Sequence, residues 1–292
     1  AAELALSAAD RPLDKYLEYA LWLTVNDLAA PWIEALKSGD WKIAGREKQL
    51  EYGLGAIEPA QAGQVLGQIL ARHPLDREGS GNWIELIGRA GGPADLGRLY
   101  QQAISGGFTE PATARALGAL EQAARLRKAQ PAGDLQKIAD LFTHPADAVR
   151  VAAVRAAGAW RTLGGRIADL SRMAGAATTS PALRTAVLEA LKDLGGQPAV
   201  EALLTLSGEA SPPAVRSQAV VALAGLKLEA AVPSAVQVLL KTENESESQS
   251  LWRSLLGVRG AAAALTHALP KSGIPTAVAK AGLRAARESG RR

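Results

Sequence analysis

Histidine and aspartate recur together in one short motif, and this pair of side chains could perform acid–base or metal chemistry. The stretches "RHPLDR" (72–77) and "FTHPADAVR" (142–150) each place a His before a Pro and an Asp two residues after that Pro. Histidine titrates near neutral pH and is the commonest metal ligand. The motif therefore raises the question of a His–Asp site at each of these turns.

The spacing of the histidines argues against a shared site. His73 and His144 lie 71 residues apart, and His267 is farther along the chain. This separation is close to two lengths of the repeat described below, which places equivalent residues about 20 Å apart at roughly 10 Å per repeat. Metal ligands must converge on one point. We interpret His73 and His144 as residues at helix C-termini, where the dipole favours them and a following Pro stops the helix.

Other catalytic chemistries find no support in the residues. Asp76 and Asp147 are each placed to accept hydrogen bonds from backbone N–H groups at the start of the next helix. The chain has no cysteine, which removes thiolate nucleophiles and zinc fingers. It also lacks a G-x-S-x-G elbow, and its glycine-rich loops complete no nucleotide fingerprint. We predict a chain without catalytic residues, metal or cofactor, and no apolar run is long enough for membrane insertion.

Composition indicates which elements must carry these motifs. Aromatic residues make up 4% of the chain, and most apolar residues are Ala, Leu and Val, a composition that favours helices.

Charge is distributed unevenly along the chain: residues 1–60 hold ten acids and six bases, whereas residues 248–292 hold eight bases and one acid. The basic end could bind nucleic acid, or it could dock on a neighbouring acidic domain.

A repeat is visible when three stretches are aligned. They read "DAVRVAAVRAAGAW" (147–160), "PALRTAVLEALKDLGG" (181–196) and "PAVRSQAVVALAGLK" (213–227). Each holds a branched residue followed by Arg, the pairs being Val149–Arg150, Leu183–Arg184 and Val215–Arg216, with the arginines 34 and 32 residues apart. A fixed period of about 30–45 residues is typical of repeat proteins, in which stacked helix pairs bury a continuous core. Another helix is predicted between these stretches and before the first, at 134–144.

The pattern of Pro, Asp and then "VR-x-x-A" resembles the HEAT-repeat family. The resemblance is clearest over residues 130–230 and implies an all-α, right-handed superhelix of about eight helix pairs. In that family the turn Asp and the helix Arg form a ladder between repeats. Here Pro145 and Asp147 match the motif, but Pro181 and Pro213 align with Asp147, so the ladder should be incomplete.

The N-terminal segment differs from the repeats in being rich in aromatic residues. Residues 10–36 resemble a segment of large bacterial multidomain proteins that carry a propeller-type dehydrogenase-like domain, HEAT repeats and a c-type haem domain. The resemblance implies a fragment of a larger protein in the periplasm or cell envelope; otherwise the cytoplasm is expected. We predict a cap over residues 1–58, in which Trp22 and Trp32 cover the open end of the solenoid, and helical repeats over 59–292 as one continuous elongated domain.

The outward positions of the repeated helices define a candidate binding surface. Aligning the repeats places these residues on the concave face: Val151, Arg155, Thr185, Glu189, Ser217, Val221, Ser250 and Ser254. The surface is neither a basic stripe nor an acidic wall. We therefore predict a non-enzymatic scaffold that binds a protein or the flanking domains of its own polypeptide. The alternative is a nucleic-acid-binding protein, including an enzyme similar to the HEAT-like DNA glycosylases, although no matching Trp–Asp constellation stands out.

Overall fold

Helices account for all the regular structure in the computed structural model, which describes residues 1–42, 45–72 and 74–289. No strand occurs within those ranges, so the prediction of an all-α fold is confirmed. His73 and two residues of the basic end, Arg291 and Arg292, lie outside the described residues. The chain divides into two units, Ala1–Ala156 and Ala157–Arg292, and each is described by itself.

The first unit is a two-layered array of helices. Its helices are α1 (Ala2–Leu6), α2 (Lys15–Asp27), α3 (Ala29–Ser38), α4 (Glu47–Ala56), α5 (Pro59–Arg72), α6 (Trp83–Ala90), α7 (Pro93–Ile104) and α8 (Glu110–Arg127), with 3₁₀ segments at Ser7–Asp10 and Leu135–Thr143. Helices α2, α4, α6 and α8 pack side by side in one layer, and α3, α5 and α7 form the other. The predicted boundary at residues 58 and 59 falls between α4 and α5 of this unit and stays a prediction.

The second unit repeats the same alternation. The division between the units falls inside α9 (Asp147–Trp160), which is followed by a 3₁₀ turn at Gly164–Arg166. The later helices are α10 (Ile167–Gly175), α11 (Pro181–Leu194), α12 (Gly196–Ser207), α13 (Pro213–Leu226), α14 (Leu228–Lys241), α15 (Glu245–Leu256), α16 (Ala261–Ala268) and α17 (Thr276–Glu288). Helices α11, α13, α15 and α17 form one layer, and α10, α12, α14 and α16 form the other.

Prolines are the first residues of several of these helices. Pro181 and Pro213 are the first residues of α11 and α13. Proline is tolerated there because the first-turn N–H groups have no intrahelical acceptor. The side chain of Ser180 completes the start of α11 by accepting a hydrogen bond from the Leu183 N–H at 3.1 Å.

The repeat register places equivalent residues in equivalent environments. Val149, Leu183 and Val215 are all buried in the core, at 0%, 3% and 0% exposure. At the turn before α9, Nδ1 of His144 accepts a hydrogen bond from the Ala146 N–H at 3.1 Å. Asp147 accepts from Arg150 of the same helix at 2.7 Å. These contacts explain His144 and Asp147 of the second motif as the entry to a helix. In the first motif, Asp76 instead accepts from the Ser80 N–H at 2.9 Å, in a turn that precedes α6.

The segment predicted as a helix over residues 134–144 is instead a 3₁₀ helix, Leu135–Thr143. The side chain of Asp134 accepts from the Gln136 N–H at 3.0 Å and so begins the segment. Ile138 and Leu141 are buried and three residues apart. Phe142 is buried as well, so the apolar residues keep the i, i+3, i+4 spacing that predicts an α-helix, and the two helix types differ here in their backbone hydrogen bonds.

Arg184 binds backbone carbonyl groups, whereas the predicted ladder would pair it with an Asp. Its guanidinium donates to three backbone carbonyl oxygens of the preceding turn, those of Ala174 at 3.0 Å, Ala176 at 3.2 Å and Thr179 at 3.2 Å. The last carbonyls of a helix have no intrahelical donor. Arg184, in the first turn of α11, therefore donates the hydrogen bonds that the carbonyl groups at the C-terminal end of α10 would otherwise lack. The two helices belong to one repeat.

We expect Arg184→Ala to lower the free energy of unfolding by about 1.5–3 kcal/mol, because charge-assisted hydrogen bonds to half-buried carbonyls are lost. Urea denaturation measures this change. Arg172→Ala is the control: its side chain is 78% exposed and pairs with Asp169 at 3.3 Å, and it should change stability by less than about 0.5 kcal/mol. Equal losses in the two variants would contradict this role for Arg184.

Candidate binding groove

Three neighbouring helices of the second unit, α11, α13 and α15, line an open groove. The groove has a volume of about 750 Å³, and α13 forms its centre with α11 and α15 as walls. A pocket of this size is within the range of about 300–1,000 Å³ that small ligands and short peptide segments occupy. We call this feature the repeat groove.

Six of the eight residues predicted for the concave face line the repeat groove together. They are Thr185, Glu189, Ser217, Val221, Ser250 and Ser254. The other two, Val151 and Arg155, lie on α9 and are not among the lining residues. The groove therefore involves three successive repeats of the second unit.

Helical spacing explains why these residues meet. Each helix contributes two predicted residues four positions apart, and residues at i and i+4 lie on one face of a helix. Ser217 and Val221 form such a pair on α13, directly between the pairs of α11 and α15. The buried residues Val215 and Ala219 of the same helix face the core, so α13 cannot rotate without exposing them.

The lining of the groove combines apolar and polar side chains. Leu188 and Leu251 are buried side chains of the two walls that also line the groove. Lys192 lies across Gly225 at one end, where its Cδ would be 3.3 Å from an added Cβ. An apolar surface with a few polar side chains is typical of sites that bind a ligand by burial and orient it by hydrogen bonds.

Sequence reasoning missed several lining residues, including Leu188, Gln218 and Leu251. It selected the most outward position of each turn, whereas a groove between helices is also lined by positions one or three residues farther along. Residues 188, 218 and 251 stand at those offsets from Thr185, Ser217 and Ser250. The amide oxygen of Gln218 is buried without a hydrogen-bond partner among the described residues, so a ligand would reach it only if the side chain turned towards the groove.

Residues 135–224 match the HEAT-repeat family model. The matched segment begins at the 3₁₀ helix and continues into α13, so it contains two of the three helices that form the repeat groove. No curated protein matches the sequence. The resemblance of the N-terminal segment to multidomain dehydrogenase-like proteins therefore stays a prediction.

The N-terminal tryptophans, which precede the HEAT-repeat match, lie in different environments. Trp32 is 3% exposed and its Nε1–H donates to the Val25 carbonyl at 3.1 Å. Its ring packs edge-on against Trp41, with ring centroids 5.8 Å apart. Trp22 is 44% exposed and stacks on Tyr19, with ring centroids 6.2 Å apart. Trp32 is therefore a core residue and Trp22 a surface residue.

The basic end beyond the HEAT-repeat match is partly neutralised by acids of the same unit. Arg253 pairs with Glu288 at 2.8 Å, and Arg284 pairs with Glu245 at 3.6 Å. The charge of Arg253 holds the pKa of the Glu288 carboxyl below its usual value, chiefly through the hydrogen bond between them. These pairs reduce the positive potential that a phosphate backbone would meet.

The described residues, 1–42, 45–72 and 74–289, offer neither a metal site nor a membrane-spanning helix. No group of three or more His, Cys, Asp or Glu side chains there is arranged to hold a metal ion. Among the same residues, no helix is both long enough and apolar enough to cross a bilayer.

Proposed function

We propose that this chain is a non-enzymatic protein-interaction module that binds a peptide segment of a partner protein in the repeat groove. HEAT repeats commonly mediate protein interactions, and residues 135–224 match that family. The single observation that supports this site is the convergence of six repeat-equivalent residues on one groove of about 750 Å³. The partner would be another protein or a flanking domain of the same polypeptide.

The chemistry of the groove favours a peptide with apolar side chains. Leu188, Val221 and Leu251 provide apolar surface, which binds apolar groups through release of water. The hydroxyl of Ser217 can pair with peptide N–H or C=O groups, and the Gln218 amide can do so once its side chain turns into the groove. Glu189, Lys192 and Glu247 give the lining two acids and one base, so the groove suits a segment that is uncharged or carries a small positive charge.

Two alternatives have less support. Binding of nucleic acid through the basic end would require a potential that Glu288 and Glu245 partly cancel, and it predicts retention that weakens steeply with salt. An enzyme would require a convergent acid and base or nucleophile in the groove. The lining residues offer instead hydroxyls, one amide and the separate charges of Glu189, Lys192 and Glu247.

The proposal is tested by a substitution that places a charged side chain in the centre of the groove. We expect panning of a random 16-residue peptide library against the full chain to enrich peptides that contain apolar residues. Fluorescence anisotropy should give micromolar dissociation constants for them, and Val221→Glu should raise these constants at least about tenfold, since it buries an unpaired carboxylate against the peptide.

Val151→Glu is the control, because it is the same substitution on α9 at the repeat position of Ser217, the other predicted residue of α13, and Val151 lies outside the groove lining. It should leave the peptide dissociation constants within about twofold. Circular dichroism of both variants verifies that they are folded. Failure to enrich any peptide, or equal binding by Val221→Glu and wild type, would refute the proposed site.

A further inference from the structure

Helix α2 presents an unusually apolar surface to solvent. Tyr16, Leu17, Tyr19, Trp22 and Leu23 are exposed by 74%, 45%, 62%, 44% and 39%. The buried residues of α2 are Leu21 and Val25. On a helix with 3.6 residues per turn, Tyr16, Tyr19, Ala20 and Leu23 form a stripe directly opposite those two residues. We call this stripe the α2 face.

An apolar face of this kind is unusual on the solvent side of a helix. A helix that buries one side in the core usually carries polar and charged residues on the opposite side. Contiguous exposed apolar surface marks interaction sites, whereas single exposed apolar residues are ordinary. The α2 face is contiguous, since four of its residues lie within two turns of one helix.

We propose that the α2 face is a self-association surface, on which the α2 helix of a second copy of this chain packs antiparallel. Elsewhere in the described residues, the large apolar side chains of comparable exposure are Leu4, Leu126, Leu204 and Leu283, one on each of four other helices. Among the described residues, the surface that matches the α2 face in apolar area is therefore the α2 face of a second copy.

Shape and charge are both self-complementary in the antiparallel arrangement. A two-fold axis between positions 19 and 20 places Tyr19 of each copy beside the small Ala20 of the other, and Tyr16 beside Leu23. The exposed Arg11 and Lys15 near the start of α2 then lie towards Asp27 at the end of the second helix. The nearby acids Asp10 and Asp14 already accept hydrogen bonds from Gln49 and from the first turn of α2.

The area available indicates a weak dimer. The exposed parts of the large residues on and beside the α2 face amount to roughly 500–600 Å² per copy, given about 150–250 Å² for a whole aromatic side chain. A standard stable interface buries about 800 Å² per partner. We therefore expect a dimer whose dissociation constant lies in the micromolar range.

Sedimentation velocity of the full chain from about 1 to about 200 µM tests the proposal, and the weight-average mass should rise from monomer towards dimer. Tyr19→Glu should raise the dissociation constant at least about tenfold, because it places two like charges in the centre of the contact. Leu283→Glu makes the same kind of change at an isolated residue that is 63% exposed on α17, and it should leave the dissociation constant unchanged.

The absence of cysteine from the chain allows a direct test of orientation. Ala20→Cys should form a disulfide-linked dimer under mild oxidation, since this position lies next to the two-fold axis. Leu204→Cys should not. A monomer throughout the concentration range, or a dimer that Tyr19→Glu leaves intact, would overturn the proposal. The α2 face lies in the first unit and the repeat groove in the second, so peptide binding by Tyr19→Glu stays measurable and separates the two proposals.

Discussion

Trp32→Ala is expected to lower the free energy of unfolding by about 3–5 kcal/mol, the range typical for removing a fully buried large aromatic side chain. Trp32 is 3% exposed. Its removal leaves a cavity beside Trp41 and removes the donor that satisfies the Val25 carbonyl at 3.1 Å. Because Val25 lies on α2 and Trp32 on α3, the substitution should also loosen the packing of these two helices.

Trp22→Ala is the matched control and should change the free energy of unfolding by less than about 1 kcal/mol. Trp22 is 44% exposed, and its ring contacts Tyr19 of the same helix. Urea denaturation followed by circular dichroism at 222 nm measures both variants. Similar losses for the two variants would contradict the separation of a core tryptophan from a surface tryptophan.

The repeat register could be predicted from sequence because it depends on local spacing. Val149, Leu183 and Val215 recur at nearly one interval, and each is buried at the same point of its helix. The same spacing placed Ser217 and Val221 together on one outward face. Periodicity of apolar residues determines which face of each helix is buried, so this level of the fold follows from the sequence.

The burial of individual side chains and the lining of the groove depend on tertiary packing, which the sequence does not indicate. Aromatic content alone does not distinguish Trp32, which is buried, from Trp22, which is exposed, because that difference depends on how α2 and α3 pack. The 3₁₀ helix Leu135–Thr143 likewise could not be distinguished from an α-helix in the sequence, because its buried residues Ile138, Leu141 and Phe142 are spaced as in an α-helix. The lining of the repeat groove by Gln218 depends on the distance between helices, which no repeat alignment contains.

The close approach of helices in the second unit supports the other prediction with a large expected effect. A Cβ added to Gly158 of α9 would lie 2.8 Å from the Cα and 2.9 Å from the Cβ of Ala190 in α11. Real Cβ contacts are longer, and the first obstacle is backbone, which cannot rotate away. Gly158→Val should therefore lower the free energy of unfolding by about 2–3 kcal/mol through overpacking.

Gly118→Val in α8 makes the same substitution where an added Cβ meets no atom within 4 Å. Valine has a slightly higher helix propensity than glycine, so this control should change stability by less than about 0.5 kcal/mol. Urea titrations of both variants at one temperature give the comparison. If Gly158→Val were as stable as Gly118→Val, α9 and α11 could move apart without lowering the free energy of unfolding. The small residues at this crossing would then be incidental to how adjacent HEAT-like repeats pack.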